Sequence, residues 1–304
     1  MRTDEQEKLI NSIRSGTVVS KNITIVPATL DQISLASNVY SESFSNCLDE
    51  GLMTEESLER WMLENHILPS SFYSIKKILI EKIDSLKKDL FFNRKSKSSI
   101  KLLKQDLQKT RSSLSDLIKP KSDFITNTCE FIAQTKKIIF LLKNTTYKSG
   151  KLYRPANFQY IIDLWQNSLL SESTIRFLCR TAIWSSIWSN RGFGFDLFCV
   201  RKNTDLTINQ RNMLTWSRVY DNINESLDCP LDFVIEDDDM LDGWLLIQKN
   251  KREKEAKERD KDDTGASSKF SKNHQHVFTY KDTEDSNDEF TSNTLEQNLG
   301  IKNE

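Results

Sequence analysis

The sequence predicts a mostly α-helical protein, and three observations carry that prediction. Only 8 Gly and 5 Pro occur in 304 residues, too few for the many tight turns of a β-sandwich or barrel. Apolar residues recur at spacings of three and four through the middle of the chain, which is the period of one helix face. An apolar content of 37%, with 16 Phe and 6 Trp, is enough to bury a core. The predicted architecture is a coiled-coil-like helical hairpin or a three-helix bundle, followed by an aromatic-rich helical core and a disordered, charged C-terminal tail.

Residues 1–71 form the first predicted region. A short helix is expected over residues 4–15, and VVSKNITIV (Val18 to Val26) has the β-branched content of a strand or an extended arm. Pro27-Ala-Thr-Leu-Asp opens a helical pattern to about Cys47, closed by Gly51. In MTEESLERWMLENHI, Thr54 stands at an N-cap position and Glu55 and Glu56 fall in the first turn, where acids complement the helix dipole. Ser57 occupies the place where a capping box needs Glu or Gln.

Residues 72–147 are the most regular part. Phe72, Ile75, Leu79, Ile83, Leu86 and Leu90 define one helix, and Ile100, Leu103, Leu107, Thr110, Leu114 and Leu117 a second. The short FFNRKSKSS between them suits antiparallel neighbours, so a hairpin is expected, ended by Pro120. Ile125, Thr128, Ile132, Thr135, Ile139 and Leu142 continue the spacing on a third helix, which is expected to pack at the base of the hairpin.

Residues 148–248 carry the helical strings ANFQYIIDLWQNSLL, SESTIRFLCRTAIWSSIWSN and LTINQRNMLTWSRVYDNINES. Ser171 or Ser173 and Thr207 are candidate caps, and Gly192 and Gly194 mark a break. Trp184 and Trp188 lie one turn apart and should share a buried face. From 249 to 304, NKREKEAKERDKDD describes either a solvated single helix or disorder, and the Ser/Lys/Asn-rich and acidic remainder reads as a flexible tail in which HVFTY alone could add a strand.

Charge is unevenly spread. Met1 to Ser71 has 5 Lys/Arg against 11 Asp/Glu, a net of −6, whereas Phe72 to Ser122 has 14 against 5, a net of +9. Two candidate binding sites follow. One is the acidic stretch Glu236, Asp237, Asp238, Asp239, Asp242 and Trp244, at the head of a helix whose apolar face includes Met240, Leu241 and Leu245 and whose later turns are basic. The other is the basic hairpin tip, with Lys87, Lys88, Arg94, Lys95, Lys97, Lys101 and Lys104. Surfaces of opposite sign suit binding in register. Replacing Asp237, Asp238 and Asp239 together by Asn is expected to leave the fold intact and weaken assembly.

Enzymatic readings find little footing. The acidic run fails as an EF-hand in both registers: from Asp237 the required Gly position holds Asp242, and from Asp238 the third loop position holds Met240. A looser carboxylate site would need flanking strands that the pattern lacks, so neither a metal nor a cofactor is expected. His66, His274 and His276 offer no H-E-x-x-H, and RGFGF (Arg191 to Phe195) lacks the Lys-Ser/Thr of a phosphate loop. Cys47, Cys129, Cys179, Cys199 and Cys229 are odd in number and scattered, as in reduced intracellular proteins. No apolar run reaches membrane-spanning length, and MRTDEQEKLI has no export signal. A soluble protein with no membrane partner is expected.

RTAIWSSIWSN, LTINQRNMLTWS, WSRVYDNINESLDCP and VIEDDDMLDGWLLIQKNKREKE together resemble a group of sparsely characterised proteins of large tailed bacteriophages, encoded among virion and tail-assembly genes. The resemblance covers roughly Tyr153 to Phe290, and the preceding hairpin also fits it. It implies a non-enzymatic structural or tail-assembly role in the virion or host cytoplasm. The implied partners are other phage structural or assembly proteins or further copies of the chain. It brings no catalytic residues with it. The alternative is a nucleic-acid-binding accessory protein that uses the basic hairpin.

Overall fold

The computed structural model describes residues 2–155, 157–190, 196–199 and 203–265, with side chains as far as 258. The RGFGF string, HVFTY and the remainder of the expected flexible tail lie outside the described residues. The described residues are mostly helical, with twelve α-helices and one small antiparallel sheet.

Helix α1 (Thr3–Ser15) ends at Gly16, whose φ of +63° is the left-handed conformation that closes a helix without a Cβ penalty. The VVSKNITIV segment is two short strands, β1 (Val18–Ser20) and β2 (Ile23–Ile25), because Lys21 turns the chain with φ +50°. Strands β3 (Thr146–Lys148) and β4 (Lys151–Leu152) complete the order β1-β2-β3-β4, with Thr24 opposite Tyr147. This second hairpin turns at Ser149 and Gly150, both at positive φ. Two- and three-residue strands are too short to leave a period-two signal, and the sequence pattern misses β3 and β4.

Helix α2 (Leu30–Asp49) begins with a reciprocal capping box: Gln32 N–H donates to Thr29 Oγ1, and Thr29 N–H donates to Gln32 Oε1. Thr54 caps α3 (Glu55–Glu64), accepting from Ser57 N–H at 3.1 Å. The hairpin is α4 (Phe72–Phe92) and α5 (Lys97–Phe124), with Ser96 capping the second arm. Pro120 does not end α5, which runs on to Phe124. The proline falls near the helix end, where its missing N–H forfeits one intrahelical bond, and the Lys121–Glu59 ion pair ties that last turn to α3.

A 3₁₀ turn (Ile125–Asn127) leads to α6 (Cys129–Thr145), capped by Thr128. Its principal neighbour is α2 rather than the hairpin. The long element lying along α4 is instead α12 (Asp238–Gly265). The expected third helix at the hairpin base is therefore replaced by one from more than a hundred residues later, which local periodicity has no means of specifying.

The remaining helices are α7 (Gln159–Gln166), α8 (Glu172–Cys179), α9 (Ala182–Ser189), α10 (Ile208–Asn224) and α11 (Asp232–Glu236). The string expected as one helix from Ser171 divides into α8 and α9, because Thr181 leaves the helical conformation and its hydroxyl caps Trp184 N–H. Ser171 and Thr207 cap α8 and α10 as the pattern predicts.

Two of the hydrophobic clusters meet at α12. The aromatic cluster joins α1, α8, α9 and α10 through Ile10, Ile175, Trp184, Trp188 and Met213, and it includes Leu241 and Trp244. Trp184 and Trp188 do share a buried face, stacked 6.4 Å apart, with their indole N–H groups donating to Ser217 and Asp221. The hairpin cluster holds Leu86, Leu90, Leu107 and Val234, and takes Met240 from the same helix. Successive residues Met240 and Leu241 thus serve different cores, so α12 is the wedge between them.

Candidate functional site

The acidic stretch sits where α11 gives way to α12. Asp237 is extended (φ −96°, ψ 109°), and its Oδ1 accepts from Met240 N–H at 3.1 Å, so it is the N-cap of α12. Asp238 and Asp239 fill the first turn, as the dipole argument predicts. Three acids in consecutive positions on a helix start must diverge, and each reaches a different cation.

Asp237 pairs with Lys104 and Asp239 with Arg111, both on α5. The Arg111 contact is a fork, with Nη2 2.6 Å from Oδ1 and Nη1 3.4 Å from Oδ2. Asp238 points the other way, to α8. Its Oδ1 lies 2.7 Å from Arg180 Nη1 and 3.1 Å from Arg176 Nε, and its carbonyl accepts from Arg176 Nη2 at 3.2 Å. One turn later, Asp242 bridges the two sides, with Oδ2 2.9 Å from Lys87 Nζ on α4 and Oδ1 2.8 Å from Arg176 Nη1.

Arg176 is the centre of this cluster. It is 3% exposed, and its guanidinium lies 4.1 Å from the Trp216 ring centroid. Burial acts to lower its pKa, but the carboxylates of Asp242 and Asp238 outweigh that effect and the net shift is upward. The cation is locked in its charged form. Its Nε has no aligned hydrogen-bond acceptor although Asp238 Oδ1 is 3.1 Å away, so that contact is electrostatic rather than directional. Arg180 also donates to Tyr220 Oη at 3.0 Å and to the Ile235 carbonyl at 2.8 Å. Burial raises the Tyr220 pKa, against the opposing pull of Arg180 and Arg176, and so keeps the phenol protonated.

Gly243 explains the rest of the motif. A Cβ there would stand 2.0 Å from the Lys87 carbonyl oxygen and 2.6 Å from its carbon, so α12 crosses α4 backbone to backbone. Glycine inside a helix costs about 1 kcal/mol relative to alanine, and this close crossing is what requires it. Trp244 is 4% exposed, anchored in the aromatic cluster. The D-G-W triplet therefore supplies a salt-bridged residue, a close crossing and a core anchor.

These contacts show where the fold places the sequence candidates. Asp237, Asp238, Asp239, Asp242 and Trp244 are committed within the chain, and Lys87 and Lys104 are two of the cations they engage. Of the six residues only Glu236 is exposed. Sequence reasoning missed Arg111, Arg176, Arg180 and Gly243. The signals were an arginine embedded in the apolar string TIRFLC and a glycine inside a helical pattern.

At the hairpin tip, Arg94 folds back, its guanidinium 4.4 Å from the Phe91 ring centroid and donating to the Phe91 carbonyl at 2.9 Å. Lys95, Lys97 and Lys101 are exposed, and Lys88 is partly so. Among the described residues none of these four lysines makes an ion pair. Phe92 and Leu102 beside them are 64% and 62% exposed. On the far flank, α4, α10 and α12 bound an open cleft of about 510 Å³ whose lining includes Lys87, Asp242, Trp244 and Arg252. Two of those charged groups are already paired with each other.

Among the described residues, no group of three or more His, Cys, Asp or Glu is gathered as a metal site, and no helix is long and apolar enough to cross a membrane. No family model, curated protein or solved structure matches the chain.

Proposed function

We propose that this protein is a non-enzymatic structural or tail-assembly component of a large tailed bacteriophage, working in the virion or host cytoplasm by binding other phage proteins or its own kind through the tip of the α4–α5 hairpin. The support for the phage setting is the resemblance of the aromatic and acidic strings. The support for binding is the tip itself, where Lys95, Lys97 and Lys101 are exposed beside Phe92 and Leu102 while nearby Lys87, Lys104 and Arg111 are neutralised from within. Cations around exposed apolar side chains match an acidic protein surface with an apolar anchor.

The acidic stretch has a different role in this reading. It is the clasp that holds the hairpin against the aromatic core, and the triple Asp→Asn change at 237–239 would loosen the fold rather than test a partner. The direct test is the full-length triple variant Lys95→Glu, Lys97→Glu, Lys101→Glu, tagged and recovered during infection. We expect it to fold normally and to lose the phage proteins captured by the unaltered chain; capture of the same set would sink the proposal.

The same lysines support the alternative, a nucleic-acid-binding accessory protein. That reading expects retention on a phosphate matrix, falling steeply as salt rises, and absence from purified particles. Mass spectrometry of particles separates the two.

A further inference from the structure

We infer that the hairpin tip is the seat for the acidic segment 282–296 of a second copy of this chain. The inference rests on the binding reading above and names the partner surface.

Among the described residues no carboxylate pairs with Lys88, Lys95, Lys97 or Lys101, so the positive charge of the tip is available to an anionic counterpart. Between Lys88 and Lys101 there are five Lys/Arg and one acid, Asp89, a net of +4. The acids that reach the hairpin from α12 stop short of this stretch, at Lys87 and Lys104 on its two arms. The segment 282–296, DTEDSNDEFTSNTLE, is the complement: six acids with no Lys, Arg or His, and the apolar Phe290 and Leu295 to set against Phe92 and Leu102. Opposed charge steers such an encounter, and the apolar pair gives it a buried centre.

The direction of α12 favours a neighbour's segment over the chain's own. Asp242 and Gly243 meet Lys87, and the later residues Gln248, Lys249 and Arg252 line a cleft with Asp84, nearer the hairpin base, so α12 runs antiparallel to α4. It therefore leads away from the tip. From Gly243, beside Lys87, the axis carries Gly265 about 33 Å towards the hairpin base. The seventeen residues from there to Asp282 have a full extension of about 58 Å. Returning to the chain's own tip would use most of that length. In a two-fold pair with hairpins antiparallel, by contrast, each chain's segment emerges beside the other's tip, and the contact is made twice.

The test is sedimentation velocity of the full chain over a concentration series, in low and in high salt. The expected result is a concentration-dependent dimer that reverts to monomer as salt rises. The tip variant Lys95→Glu, Lys97→Glu, Lys101→Glu and the segment variant Asp282→Lys, Glu284→Lys, Asp285→Lys, Asp288→Lys should each be monomeric, and their combination should dimerise again. A monomer at every concentration overturns the inference, including one whose own segment covers its tip, and so does a tip variant that still dimerises. Failure here is distinguishable from failure of the proposed function. A monomeric chain whose tip variant loses captured phage proteins refutes the dimer alone, whereas a dimer that captures none refutes the wider partner reading alone.

Discussion

The acidic stretch 236–242 and the hairpin tip 88–101 carry dense charge of opposite sign, yet they meet different fates in the fold. Asp237, Asp238, Asp239 and Asp242 each find a cation within the chain, drawn from three helices. Lys95, Lys97 and Lys101 remain exposed. The difference lies in position rather than composition. The acids sit on a helix start wedged between two cores, where Arg176 is nearly dry and an unpaired charge would be costly. The lysines sit at a turn between two helices, where water solvates them at little cost. A charge run is therefore structural or available according to what packs behind it.

The largest effect should come from the centre of the clasp. Replacing Arg176 by Met strands Asp238 and Asp242 with fewer cations, and we expect a loss of about 3 kcal/mol, read as a lowered urea midpoint at unchanged slope. A midpoint equal to that of the unaltered protein would show that the cluster is not holding the two cores together.

Next comes Gly243→Ala. Helix propensity favours alanine by about 1 kcal/mol, but the added Cβ would fall 2.0 Å from the Lys87 carbonyl oxygen. Overpacking against backbone should outweigh the gain and leave a net loss of about 2 kcal/mol. A thermal midpoint above that of the parent would show that α4 and α12 separate easily.

Asp239→Asn breaks a more solvated pair, since the Arg111 side chain is 48% exposed. The expected loss is at most about 1 kcal/mol, shrinking further in high salt, and a chemical-denaturation series in salt would measure it. The smallest effect on stability belongs to the tip. Lys95→Glu, Lys97→Glu and Lys101→Glu together should stay within about 0.5 kcal/mol of the parent while abolishing capture of partners. If that variant unfolds, the tip belongs to the core and its contrast with the clasp disappears.

Much of the fold was legible locally. Thr54, Ser171 and Thr207 announce helix starts because a short hydroxyl side chain satisfies an otherwise orphaned N–H at that one place. The hairpin arms are legible because one apolar face must be buried. The four-stranded sheet was only half visible, since β3 and β4 are too short to alternate. The split between α8 and α9 was hidden in an unbroken apolar pattern. The acidic stretch was correctly read as a dipole-complementing helix start, but its partners were not, because Lys87, Arg111 and Arg176 lie between 62 and 155 residues away in sequence.

The sequence by itself determined the helical class, the caps, the hairpin and the charged head of α12, all of which follow from interactions within a few turns. The tertiary structure alone decided that α12 rather than α6 lies along α4, that Gly243 is the crossing point, and that the acids are consumed while the tip lysines are not. Periodicity specifies which face of a helix must be buried, and only the packed chain specifies what covers it.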